Sequence, residues 1–190
     1  GFKLIQALNK KQNKTIDKII HFMDLVCLAV AADVVPVIGE NRVFSYLGLQ
    51  LINSNPRKAL NLMLKNKIKK EYDFNDLMFF VAPRINAAGR MAHADIALKF
   101  LREHNENILN NLLDKIENLN QHRKETEKNT VNDSIEIIES EDLATTNTII
   151  VYKENWNKGV IGIVASRLVD KYYRPAIVFC KSIDGNLTGS

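Results

Sequence analysis

The chain has 190 residues, 46% hydrophobic and 25% charged, with 26 Lys and Arg against 22 Asp and Glu. That much apolar material excludes a disordered chain, a collagen-like repeat or a coiled-coil fibre, and the apolar run from Leu25 to Ala32 is far short of the ~20 residues a membrane span needs. A net charge of +4 permits nucleic acid as a partner without requiring it.

Length admits one large or two small domains, and two are expected. Both cysteines, Cys27 and Cys180, sit inside apolar runs. They read as buried thiols of a reducing compartment. With Gly1 in place of an initiator Met and no signal segment, the chain reads as a piece of a cytoplasmic protein.

In chain order, Phe2 to Leu8 has helical spacing and stops at the polar stretch Asn9 to Lys14. Asp24 to Ala32 is apolar enough for a buried helix or strand, and Val35, before Pro36, is pushed out of the helical region. Gly39 to Asn41 is a turn, with Asn41 as N-cap of a helix whose inner side carries Val43, Phe44, Leu47 and Leu51. Pro56 opens a further helix with Leu60, Met63 and Leu64 inward. Arg57, Lys58, Lys65, Lys67, Lys69 and Lys70 crowd its other sides, as a solvated face or an electrostatic track. The run Leu77 to Ala82 ends at Pro83, and Pro83 to Arg90 is expected to be a loop. A short helix after Asp95 carries Ile96, Leu98 and Leu101.

Glu106 to Glu141 contains no Pro or Gly and reads as one long helix. Its first half carries Ile108, Leu112, Ile116 and Leu119, and its end carries Val131, Ile135 and Ile138. Asn120 to Thr130 between them is polar all round, the pattern of a helix bridging solvent between two bodies. Beyond it, Thr148 to Tyr152 is a strand, Gly159 to Tyr172 a helix with Ile161, Val164 and Leu168 inward, and Pro175 to Cys180 a second strand. Strand, helix, strand with short connectors is a βαβ unit with parallel strands. Asp184-Gly185 is a turn, and no closing element follows it.

Few residues carry candidate chemistry. Asp33 ends an apolar run with no Lys or Arg within eight residues. A carboxylate withdrawn from water needs hydrogen bonds, a cation or a metal, so Asp33 reads as a turn cap or a metal ligand. A divalent hydrolase centre needs several such ligands, and the four histidines show no ligand spacing. Arg84, Asn86 and Arg90 lie among small residues that would let a phosphate approach the backbone. The guanidinium forks of Arg84 and Arg90 suit phosphate oxygens and Asn86 can donate to the same group, or the arginines pair with local acids such as Asp95. Asn157 to Gly162 opens the βαβ helix, where glycines serve either an anion or tight packing. Gly189-Ser190 reads as the start of another phosphate-gripping loop.

Three segments taken together, Ala31 to Arg42, Ala82 to Met91, and Gly159 to Leu168 followed by Tyr173 to Val178, closely resemble the RecJ family of single-strand-specific DNA exonucleases, within the DHH phosphoesterase superfamily. The resemblance implies an α/β fold in which 1–104 form the helix-rich C-terminal part of a DHH domain. It further implies a connecting helix at 105–141 and, at 142–190, the βαβ-containing N-terminal part of a DHH-associated domain, incomplete in this chain. It implies a 5′-to-3′ exonuclease of single-stranded DNA in recombination and repair, using a pair of Mn²⁺ or Mg²⁺ ions, with a single-strand-binding protein or a helicase as further partner.

On the same resemblance Asp33 is the last metal-binding aspartate of the DHH lobe, and Arg84, Asn86 and Arg90 grip a phosphate near the cleft. Gly189 and Ser190 begin a Gly-Ser-x-Arg-Ser type loop, while Ser166 and Arg167 support packing. The family's Asp-x-Asp segment and Asp-His-His triplet are not in this sequence, and Asn157 stands where the family usually has His. With one ligand of the set, the chain is expected to cut nothing by itself. Other readings are a DHH phosphoesterase of short oligonucleotides or cyclic dinucleotides, and a catalytically dead nucleic-acid-binding scaffold.

Overall fold

The computed structural model describes residues 1–65, 67 and 69–190. They fall into two compact units, Gly1–Asn86 with Ala94–Ile116, and Ala87–His93 with Glu117–Ser190.

The first unit is helical. Helix α1 (Phe2–Lys11) runs three residues further than the polar stretch suggests. Helix α2 (Met23–Ala32) buries Cys27, Leu28 and Ala31 against α3 (Gly39–Ser54). The two approach so closely that a Cβ on Gly48 would lie 2.3 Å from the Cys27 Cβ and 2.4 Å from the Met23 carbonyl oxygen. Burial first, then the charge of Asp24, pushes the Cys27 thiol up to about 12 despite its hydrogen bond to the Ser45 carbonyl, so it is an inert core thiol. Helix α3 starts at Gly39, two residues before the expected cap. Asn41 instead donates to the Pro36 carbonyl. The buried side of α3 is Ser45, Gly48 and Ile52, and Val43 is exposed, because the contact with α2 selects small residues rather than the bulkier neighbouring stripe.

Helix α4 (Lys58–Leu64) buries Leu60, Met63 and Leu64 as expected. Its basic flank is not a free track. Arg57 makes a two-pronged ion pair with Asp24, which is 2% exposed, at 2.8 and 3.2 Å, and also reaches the Leu101 carbonyl. Lys58 donates to the His104 carbonyl, and Lys67 and Lys69 both bind Asp76.

The expected loop at Pro83 to Arg90 is a helix. A turn of α-helix, α5 (Phe74–Asp76), capped reciprocally by Asp73 and Asp76, leads into a π-turn over Leu77–Val81 and then α6 (Ala82–Met91). Proline lacks the N–H that the helix requires and its ring presses on the carbonyl four residues back. The widened turn, in which the Ala82 N–H donates to the Leu77 carbonyl, lets the chain stay helical through Pro83. In α7 (Asp95–Arg102) the buried residues are Ala97 and Phe100, and Leu98 is exposed.

Helix α8 (Glu106–Ser140) is a single helix, as its lack of Pro and Gly predicts. Its apolar stripe in the first unit is Leu109, Leu112, Leu113 and Ile116, with Ile108 exposed. The polar middle is not solvated on every side. Asn120, Thr130 and Ser134 are buried, with Arg123 and Glu127 largely so, at the three- and four-residue spacing of one helical face. Along this seam Arg123 donates to Glu127 at 2.5 Å and to Asn120 at 3.4 Å, and Ser134 donates to the Thr130 carbonyl.

The second unit carries the βαβ motif. Strand β1 (Ile149–Tyr152) pairs in parallel with β2 (Ala176–Lys181), in the register Ile149 to Ala176 through Tyr152 to Phe179, with α9 (Ile161–Tyr172) as the crossover. A third strand that the sequence did not reveal, β3 (Leu187–Gly189), returns antiparallel along β2 after a turn at Gly185, whose φ of +85° suits glycine. Ile149, Val151, Val178 and Cys180 face Val164, Leu168 and Ile138 in the core. Asp133 of α8 accepts from Lys153 and from the Trp156 indole, and those bonds hold its carboxyl below the usual carboxylate range.

Candidate functional site

Asp33 sits at the C-cap of α2, where its own N–H is taken by the Ala29 carbonyl. It is exposed, not withdrawn from water as the apolar run suggested, because the helix ends as it reaches the surface. Its carboxylate has no hydrogen-bond or ion-pair partner among the described residues. It lines an open, mostly apolar cleft of about 460 Å³ with Phe22, Val26, Val35 and Phe44.

The turn behind Asp33 is strained. Val34 has φ +51°, the Val34 N–H donates to Ala31 and the Val35 N–H to Val30. This is the Schellman ending of a helix, with a β-branched residue in the left-handed position that glycine usually fills. Such strain costs on the order of 1–3 kcal/mol and persists only where surrounding structure enforces it. Asn86 supplies part of that enforcement by donating to the Ala32 carbonyl at 3.4 Å. Of the three α6 candidates, Asn86 is therefore the one placed beside Asp33. Arg84 lies on a different side of the helix, stacked 3.7 Å from the Phe80 ring centroid and donating to the Phe80 carbonyl at 2.8 Å.

Arg90 belongs to the second unit and meets α9 there. Its Nη1 donates to the Gly159 carbonyl at 3.1 Å. Asn157 accepts from the Gly159 N–H at 2.7 Å, so its side chain folds the turn that starts α9. Ser190 is fixed against β2 by two backbone bonds with Val178, at 3.0 and 3.1 Å. Its Oγ lies 2.9 Å from where a Cβ on Gly162 would be, so glycine at 162 leaves the hydroxyl its place over the first turn of α9. Gly189 is required by packing, since a Cβ there would lie 2.5 Å from the Phe179 ring.

Arg90, Gly162, Ile163, Ser166, Arg167, Asp170 and Ser190 line one cleft of about 450 Å³. Two guanidinium groups and two hydroxyls at the start of a helix make a polar bed suited to a phosphate. Ser166 and Arg167, read from the sequence as packing residues, are exposed and face this cleft. The signal that could have found them is their four-residue spacing along α9, Ser166 from Gly162 and Arg167 from Ile163.

No family model matches the chain. It is 37% identical over 160 residues to the single-stranded-DNA-specific exonuclease RecJ of Bacillus subtilis, covering 83% of this chain and 20% of that protein. To Escherichia coli RecJ it is 31% identical over 186 residues, covering 95% of this chain and 32% of that protein. Its fold matches crystal structures of Thermus thermophilus RecJ in complex with Mn²⁺ and with Mg²⁺, with TM-scores of 0.79 and 0.77 at 26% identity, each over 92% of this chain. The chain belongs to the RecJ family.

The chain spans from a fifth to about a third of the length of the curated RecJ relatives it matches. The Thermus thermophilus RecJ structures hold Mn²⁺ or Mg²⁺. In this chain, no group of three or more His, Cys, Asp or Glu is placed to hold a metal ion among the described residues. Asp33 by itself does not make a RecJ metal centre. Among the described residues no helix is long and apolar enough to cross a membrane.

Proposed function

We propose that these 190 residues form part of a metal-dependent 5′-to-3′ exonuclease of single-stranded DNA that serves recombination and repair in the cytoplasm. In this reading 1–104 are the C-terminal part of a DHH domain, 105–141 its connecting helix and 142–190 the start of a DHH-associated domain. Asp33 would be one ligand of a Mn²⁺ or Mg²⁺ pair whose other ligands lie outside these residues, and such a pair would supply a nucleophilic water and charge stabilisation for the leaving oxygen. Asn86 holds the α2 terminus that presents Asp33. Arg90 and Ser190 grip a phosphate of the strand, Gly189 lets the Ser190 loop lie flat on β2, and Arg84 is anchored to Phe80 as part of the α6 support. Single-strand-binding protein or a helicase would deliver the strand.

The observation that carries this reading is the cleft shared by Arg90, Ser166, Arg167 and Ser190 in a chain of RecJ sequence and fold. Because Asp33 has no fellow ligands among the described residues, the chain alone does not hydrolyse DNA. Incubated with Mn²⁺ and 5′-phosphorylated single-stranded DNA it releases no nucleotides, and sustained release would overturn the assignment of the catalytic metal to residues outside it.

A further inference from the structure

A second basic cleft lies against α8 and α9, with a volume of about 380 Å³. It is lined by Arg123, Lys124, Glu127, Lys128, Val131, Asn132 and Arg167. Four of these residues are cationic and one anionic, so the cleft is strongly positive. Glu127 does not discharge it. That carboxylate accepts from Arg123 at 2.5 Å and from Arg167 at 3.3 Å, holding the two guanidinium groups in the cleft wall. Arg123, 12% exposed, also leaves its buried Nε without an acceptor among the described residues. Lys124 and Lys128 stand one helical turn apart on α8, both exposed and with no carboxylate partner among the described residues.

Arg167 lines this cleft and also the one that holds Arg90 and Ser190. A strand whose phosphate occupies the first therefore meets a further positive surface at Arg167. Such a surface, cationic and lined by no aromatic side chain on which a base could stack, suits a backbone phosphate. We infer that the Arg123–Lys124–Lys128–Arg167 cleft is a second phosphate-binding site that holds a neighbouring phosphodiester of the single-stranded DNA, with Glu127 as the positioning residue for both arginines. This inference rests on the single-stranded-DNA reading above.

The test is binding of 5′-phosphorylated oligo(dT) to this chain without metal, across a salt series. The variants are Lys124→Ala/Lys128→Ala and, as a control of equal charge loss in the first unit, Lys11→Ala/Lys18→Ala. Each phosphate contact on a single strand contributes ~0.7 to the slope of log affinity against log salt. The cleft variant is expected to bind severalfold more weakly with a slope reduced by about 1.4, while the control retains both values. Equal losses in the two variants, or none in the cleft variant, overturn the second site while leaving the Arg90–Ser190 reading intact. Lysine-dependent binding of polyglutamate, with oligo(dT) indifferent to the same lysines, assigns the cleft to an acidic peptide and overturns the inference. A wild-type chain that binds no oligo(dT) overturns the parent reading with it.

Discussion

Arg90 and Gly159 interlock through their backbones. A Cβ on Gly159 would lie 2.1 Å from the Arg90 carbonyl oxygen, while the Arg90 guanidinium donates to the Gly159 carbonyl at 3.1 Å. The colliding atom is main chain and cannot swing aside. Gly159→Ala should therefore cost about 1–3 kcal/mol, as for other overpacked sites. The check is thermal or urea unfolding, and an unchanged midpoint would show that the interlock is loose.

The strained valine behind Asp33 gives the opposite sign. A non-glycine residue in the left-handed region costs roughly 1–2 kcal/mol, and Val34 is exposed with φ +51°. Val34→Gly should relieve that strain, offset in part by the greater freedom of glycine in the unfolded chain. The expected outcome is a thermal midpoint raised by about 2–4 °C per kcal/mol recovered. A lowered midpoint would mean that the valine side chain contributes more than its backbone costs.

Much of the fold was legible in the sequence because the relevant signals are local. The absence of Pro and Gly gave α8, and β-branched runs about an amphipathic helix gave β1, α9 and β2. What escaped is what tertiary contact decides. Pro83 closed an apolar run and a loop was expected after it, yet a π-turn over Leu77–Val81 leads into a helix that continues through the proline. The polar stretch after Asn120 looked solvated, yet one face of it is buried and carries side-chain hydrogen bonds within the helix. β3 was too short to show a period. Among the candidate site residues, likeness to the family motif is what singled out Asp33, Asn86, Arg90 and Ser190. Only the packing of Gly162 against Ser190 revealed that Ser166 and Arg167 face the same cleft.

The partner of Asp24 was hidden in the same way, because nothing in sequence joins it to Arg57. Asp24 is 2% exposed and Arg57 supplies its cation. Removing one member of such a pair leaves a buried charge uncompensated and typically costs about 3–5 kcal/mol. Arg57→Ala should destabilise the first unit by that order, and Arg57→Lys, which lacks the two-pronged fork, by less. Denaturant unfolding of the two variants distinguishes this from a surface pair, for which both changes would fall below ~1 kcal/mol.

Asp76 sets the acid limit of the same unit. Burial would raise its carboxyl, but the hydrogen bonds from Lys67, the backbone N–H it caps and Lys69 prevail and hold it well below its ordinary value of 3.8. A depressed carboxylate contributes stability that is fully present above the unfolded value and is lost as pH falls towards the folded one. Stability should therefore be insensitive to this group at neutral pH and decline progressively below about pH 4. Asp76→Asn should flatten that decline. A wild-type and an Asn variant with parallel acid limbs would assign the acid sensitivity elsewhere.

The central claim is that the exposed carboxylate at the end of α2, held in place by Asn86, serves a metal-dependent nuclease. The direct measurement is Mn²⁺-dependent release of nucleotides from 5′-phosphorylated single-stranded DNA by the intact exonuclease carrying this segment, with Asp33→Ala beside the wild type. The account predicts nearly complete loss of hydrolysis with unchanged circular dichroism and thermal midpoint, since the Asp33 carboxylate has no partner among the described residues whose loss would weaken the fold. An Asp33→Ala enzyme that degrades the strand at the wild-type rate, with the same Mn²⁺ dependence, would contradict it.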